Sequence, residues 1–99
     1  MAAPTAPVVK LALGPEPNSI QFFAAAPAGS PTYYKVYLHG KTGVGKAGTN
    51  AGVYTFGVPD GVVKGLPSWS EIFCAMTALN AGDEESADST TVSVSNQHS

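Results

Sequence analysis

Residues 66–80, LPSWSEIFCAMTALN, followed by AGDEES and then STTVSVS, limit the fold of this chain more than any other stretch. Ile72, Cys74, Met76 and Ala78 alternate with outward-facing Phe73, Thr77 and Leu79, the period of a strand with one buried face. A proline and two serines precede this run. Gly82 and an acidic cluster follow it, and Val92 and Val94 then alternate with Ser93 and Ser95. The pattern predicts a corner, a long strand, a tight turn and a last strand, which is the closing half of a small antiparallel sandwich. The competing reading is a helix over residues 70–79, but no apolar stripe of 3.6-residue period with proper caps supports it.

The first half reads the same way. Residues 8–13 (VVKLAL) make a first strand, and a Pro- and Asn-containing break leads to 20–25, where Ile20, Phe22 and Ala24 alternate with Gln21, Phe23 and Ala25. After a turn cluster at 26–31 comes TYYKVYLHG. There Tyr34, Val36 and Leu38 share one face, while Tyr33, Lys35, Tyr37 and His39 share the other; β-branched and aromatic enrichment supports the strand. Residues 40–52 are rich in Gly, Thr, Lys and Ala without periodicity, and predict a long, mobile hairpin connection. Residues 53–58 form the returning strand, Pro59-Asp60-Gly61 a turn, and 62–66 a further short strand. Seven short strands punctuated by turns make an all-β, antiparallel sandwich. The domain is expected over 8–95, with an Ala/Pro-rich linker at 1–7 and a polar tail at 96–99. A linker beside a core suggests a module joined to something larger.

Charge and cysteine content narrow the function. Of the 99 residues 12% are charged, about half the usual ~25%, so Ser, Thr, Asn, Gly, Ala and Pro must make much of the surface. All five basic residues are lysines and the net charge is −2. That argues against nucleic acid, which calls for a basic stripe. No window approaches the ~20 apolar residues of a membrane span. Cys74 is alone and falls on the inner face of its strand, so it reads as a small buried hydrophobe. The N-terminus lacks the charged and apolar regions of a signal peptide.

The ordered set of motifs resembles a fibronectin type III domain over nearly the whole chain. Pro4 and Pro7 precede the first strand, and Asn18-Ser19-Ile20 opens the second. Tyr34-x-Val36-x-Leu38 resembles the family's third-strand Tyr-x-Val-x-Tyr, and Val62-x-x-Gly65-Leu66 its fifth strand and leucine corner. Cys74-Ala75-Met76-Thr77-Ala78-Leu79-Asn80 is similar to its sixth strand, Gly82 with Glu85-Ser86 to its Gly-Glu-Ser turn, and Ser89 to the serine before its last strand. The resemblance implies a seven-stranded immunoglobulin-like sandwich. This chain departs from the family at Ala24, where a tryptophan is expected, and at Ile72, where a tyrosine would make a corner hydrogen bond. The lone Trp69 is therefore expected to fold under the sandwich and fill volume left by Ala24, or else to be exposed for binding. The adhesive Arg-Gly-Asp that some members carry is Ala81-Gly82-Asp83 here, so integrin binding is not implied.

Chemistry is sparse. GKTGVGKAGT at 40–49 approaches a phosphate-binding loop, with Gly40, Gly45 and Lys46 in place. Ala47 stands where the Mg²⁺-binding hydroxyl belongs, and AGTNAG cannot start the helix that such a loop needs. Asp83, Glu84 and Glu85, with Asp88 nearby, lack the Asp-x-Asp-x-Asp-Gly spacing of a calcium loop. Neither His39 nor His98 sits in a nucleophile arrangement, so no catalytic residue, metal or other cofactor is expected.

What remains is surface. Tyr33, Lys35, Tyr37, Phe73 and Leu79 are expected to form one exposed apolar face, flanked by loop residues Lys41, Lys46, Asp83, Glu84 and Glu85. Such a face fits a partner protein or a second copy, sugar rings stacked on aromatics, or a floor for the chain's own loop at 40–52. The expected function is a non-catalytic binding or spacer module of a larger extracellular, bacterial-surface or phage-virion assembly. Its partners would be proteins or adjacent domains. The alternative is a carbohydrate-binding accessory module of a secreted glycoside hydrolase.

Overall fold

Alternation of apolar and polar side chains, set by the sequence, builds two facing sheets in the computed structural model, which describes residues 3–16, 18–25, 28–29 and 31–95. The strands are β1 (Val8–Leu13), β2 (Ile20–Ala25), β3 (Tyr33–His39), β4 (Gly52–Phe56), β5 (Asp60–Val63), β6 (Glu71–Leu79) and β7 (Val92–Ser95). One sheet has the order β1-β2-β5 and the other β4-β3-β6-β7, and every pairing is antiparallel. This is the seven-stranded sandwich that the fibronectin type III resemblance implies.

The core lies between the sheets and is made by the residues that the period-two reading turns inward. Val9, Ile20, Phe22 and Val63 meet Tyr34, Val36, Leu38, Ile72, Cys74, Met76 and Ala78, with Leu66 closing the corner. Ile20, Phe22, Val36, Leu38, Ile72 and Met76 are wholly buried, each stabilising the fold by about 1.5–3 kcal/mol. The rings of Phe22 and Phe56 meet edge to face at 4.8 Å, adding about 0.5–1.5 kcal/mol. Ile72 simply packs in this core, where the family's tyrosine would carry a hydroxyl.

Several details correct the sequence reading. Asp60 and Gly61 lie within β5, paired with Phe23 and Phe22, so the turn falls just before them. Gly61 suits that place because a Cβ there would press to 3.2 Å of the Phe22 and Phe56 rings. β7 begins at Val92 and not at residue 90, because the chain before it satisfies the β6 edge differently. The Ser89 hydroxyl accepts from the Met76 N–H at 2.9 Å, and the Ser89 N–H donates to the Met76 carbonyl at 2.9 Å. Ser86 does the same at Ala78, at 2.9 and 2.8 Å. Two buried serines thus replace a strand partner, meeting the rule that buried backbone groups find hydrogen bonds.

Within the segment expected to be a linker, Pro4 and Pro7 are buried. Thr5 donates its N–H to the Ala28 carbonyl and accepts the Ala28 N–H on its hydroxyl, both at 3.0 Å. This stretch therefore packs on the domain. The tail at 96–99 lies outside the described residues.

Trp69 is half-buried and packs on the core, but not beside Ala24. Its ring lies 5.9 Å from that of His39, and a Cβ on Gly40 would come within 2.4 Å of the indole. His39 ends β3 at the Ile20 end of β2, whereas Ala24 lies at the opposite end. The indole closes the far end of the sandwich from the one expected.

Candidate functional site

β3 and β6 are the central strands of the four-stranded sheet, and their register sets the outer face. Tyr33 pairs with Leu79, Lys35 with Thr77, Tyr37 with Ala75, and His39 with Phe73. The residues expected on one face are therefore together. They do not form an open aromatic surface: Tyr37 is 5% exposed and Leu79 2%, with Ala75 and Thr77 wholly buried. Tyr33, Lys35 and Phe73 are half-buried. The expectation of an exposed apolar face is corrected, because two segments of the chain fold over it.

The first cover is the loop at 40–52. Its Val44 packs on Tyr37 and Ala75, with Phe73 at the margin. A single apolar side chain among glycines and lysines is enough, because Tyr37 and Ala75 are direct neighbours in the ladder. The loop holds its own shape, against the expectation of a mobile hairpin. Asn50 accepts the Gly45 N–H at 3.0 Å and donates back to the Gly45 carbonyl at 2.8 Å. Gly48 donates to Gly45 at 3.0 Å and Thr49 to Gly43 at 2.9 Å. Gly45 has φ of 138°, and a Cβ there would sit 2.5 Å from the Asp88 carboxylate, so only glycine fits.

The second cover is the segment after β6. The buried Asn80 organises it: its side-chain oxygen accepts the N–H groups of Gly82 and Glu84 at 3.0 Å, and its amide donates to the Glu84 carboxylate at 2.9 Å. This Asx arrangement lets Asp83 take a left-handed φ of 61°. It also turns the acidic cluster onto the sheet. Tyr33 donates to Asp83 at 2.6 Å, Tyr37 donates to Glu85, and Thr77 donates to the same Glu85 oxygen at 2.5 Å. Burial, and then the bond to Glu85, push the Tyr37 phenol up to about 12. The bond to Asp83 is the main cause that raises the Tyr33 phenol.

The two covers are joined. Lys46 donates its backbone N–H to Asp88 at 2.9 Å and its ammonium to the Ser86 carbonyl at 2.8 Å. Lys46, Asp83, Glu84 and Glu85 are thus part of one internal network, while Lys41 stands exposed on the loop. This network also answers the phosphate-loop motif. The N–H groups of Gly45, Lys46, Gly48 and Thr49 already have acceptors, and the loop runs into β4 and not into a helix. These four amides are therefore not free to cradle a phosphate. The carboxylates of Asp83, Glu84, Glu85 and Asp88 likewise take protein donors. Among the described residues no group of three His, Cys, Asp or Glu side chains is arranged to hold a metal, and no ligand-sized cleft opens. Cys74 is buried between the sheets, and burial pushes its thiol up to about 12, which makes it a poor nucleophile.

Sequence reasoning missed Val44, and named Asn80, Ser86 and Ser89 only as positions of the family resemblance, without their hydrogen-bonding roles. Val44 carried a signal, as an isolated apolar residue between two glycines in a polar stretch. The roles of the serines were not legible, since nothing local distinguishes a ladder-completing serine from a solvated one.

No family model and no curated protein matches the chain. Among solved structures it is similar to a β-1,2-glucanase from Parabacteroides distasonis, with a TM-score of 0.70 and 21% identity, covering 98% of this chain and 13% of that one. It is also similar to a Fn3-like protein from Clostridium thermocellum, with a TM-score of 0.67 and 15% identity, covering 99% of this chain and 95% of that one. The chain thus spans about an eighth of the glucanase and nearly the whole of the second protein. At these identities the likeness is one of fold: two antiparallel sheets of three and four strands, in a fibronectin type III-like sandwich.

Proposed function

We propose that this chain is a non-catalytic accessory module, a spacer and protein-contact domain of a larger assembly outside the cell, at a bacterial surface or on a virion. The observation that carries the reading is the closure of the outer face by residues 40–52 and 80–88. It uses the aromatic hydroxyls, the acidic side chains and the loop amides in the domain's own architecture. A rigid, closed sandwich suits separation and orientation of neighbours better than capture of a small ligand. The occurrence of this fold within a much longer glucanase chain supports the accessory role.

That same likeness favours the second reading, a carbohydrate-binding accessory module of a secreted glycoside hydrolase. Affinity electrophoresis and calorimetry with β-1,2-glucan and a panel of other polysaccharides separate the two. The spacer reading expects no retardation, no heat and no reducing-sugar release. Saturable binding that Tyr33→Ala abolishes would replace it with the carbohydrate reading, and sugar release would end both.

A further inference from the structure

The outer face of the three-stranded sheet, on the opposite side of the molecule from the covered face, has no such cover among the described residues. Phe23 lies at its centre and is 46% exposed, and Val8 at its β1 end is 71% exposed. Around them the register places Ala25 beside Val8, and Gln21 between Ala12 and Val62. A phenylalanine on the middle strand of a sheet, with aliphatic neighbours in both flanking rows, is more than scattered apolar exposure.

The charges on this face say what fits it. Lys10 pairs with Phe23 on one side and Asp60 pairs with Phe23 on the other, giving one row of cation, ring and anion across β1, β2 and β5. Both charged residues are exposed, and the described residues place no salt-bridge partner on either. Adjacent strands are about 4.8 Å apart, so the two backbones stand about 10 Å from one another across Phe23, and no salt bridge joins the two side chains among the described residues. Now place a second copy face to face, related by a two-fold axis along β2 through Phe23. The rotation exchanges the two sides of the row. Each Lys10 then meets the Asp60 of the other copy, the two Phe23 rings meet at the axis, and the aligned sheets stack as in a sandwich. A two-fold axis across the strands would instead set lysine on lysine and aspartate on aspartate. The row is self-complementary in one orientation alone.

We propose that the β1-β2-β5 face is a self-association surface, on which two copies of this chain dock as an isologous pair through Phe23, Lys10 and Asp60. The contact is small, so the pair is weak and forms at high local concentration, as between modules crowded on one surface. It goes beyond the spacer reading and does not depend on it.

Sedimentation equilibrium of the whole chain over a wide concentration range tests this. The weight-average mass should rise from the 10.1 kDa of one chain toward twice that value. Phe23→Ser should weaken association about 30-fold, the scale of losing a central aromatic anchor. Lys10→Glu alone and Asp60→Lys alone should each abolish it, by placing like charges in both contacts. The Lys10→Glu/Asp60→Lys double variant should restore it, and an equimolar mixture of the two single variants should form a heterodimer. A wild-type mass that stays at one chain up to millimolar concentration overturns the proposal. So does self-association that the single reversals leave intact, or that neither the double variant nor the mixture restores. Circular dichroism of each variant confirms that a loss of mass is not a loss of fold.

Discussion

At the scale of single residues, Cys74 and Tyr37 couple the fold to pH. Burial moves the thiol from its ordinary 9.0 to about 12. Burial and Glu85 move the Tyr37 phenol from 10.0 to about 12. Both pKa values are raised in the folded state, so between pH 9 and 12 the native chain holds protons that the unfolded chain has released. Their contribution is complete below the unfolded values and disappears as pH rises through the folded ones. The melting temperature should therefore fall steadily above pH 9. Cys74→Ala should flatten the first part of that fall and Tyr37→Phe the part above pH 10, each from a lower starting stability. Unchanged slopes in both variants would remove these groups from the account. Ser89→Ala makes a second prediction at this scale. It leaves the buried Met76 N–H without its acceptor, and should lower stability by about 1–3 kcal/mol in urea denaturation, with faster hydrogen exchange at Met76.

At the scale of elements, the loop at 40–52 and the segment after β6 act as one lid over β3 and β6. Gly45→Ala forces a side chain into a φ of 138° and against Asp88. It should cost about 1–3 kcal/mol and loosen the Lys46–Asp88 contact, read as faster exchange of the amides at 43–49. Replacing residues 40–50 with a two-residue type I′ turn between His39 and Ala51, the next positions in register after Leu38 and Gly52, tests the lid directly. β3 and β4 are antiparallel neighbours, so a short turn can join them. The sandwich should remain, with Tyr37, Ala75 and Phe73 newly exposed and binding an apolar fluorescent dye that the full chain does not. A chain that no longer folds would show that the loop contributes to the core rather than covering a finished sheet.

At the scale of the whole molecule, the division between what was legible and what was not follows the range of the interactions. Strand positions came from alternation, which each segment displays alone: β1 and β2 fall where the sequence puts them, and β6 begins one residue earlier. Inner-face residues such as Phe22, Val36 and Met76 were legible for the same reason. The candidate site was legible as a list of outward side chains, with cover by the loop at 40–52 as one of the options the sequence left open. Tyr33, Tyr37, Phe73 and Leu79 do share a face, but whether that face meets water depends on Val44 and Glu85, which arrive from segments with no periodicity. Trp69 was placed at the wrong end because volume left by one residue says nothing about which distant ring will fill it.

The amino-acid order, through the period of its apolar side chains and the Gly-, Pro- and Asn-rich breaks between them, settled that this chain forms short antiparallel strands around one core. Tertiary structure alone decided which of its two outer faces is closed and which is open. That outcome rests on hydrogen bonds between residues some forty or more positions apart, Lys46 with Asp88 and Tyr37 with Glu85. Such bonds exist only once the sheet has brought its partners within reach.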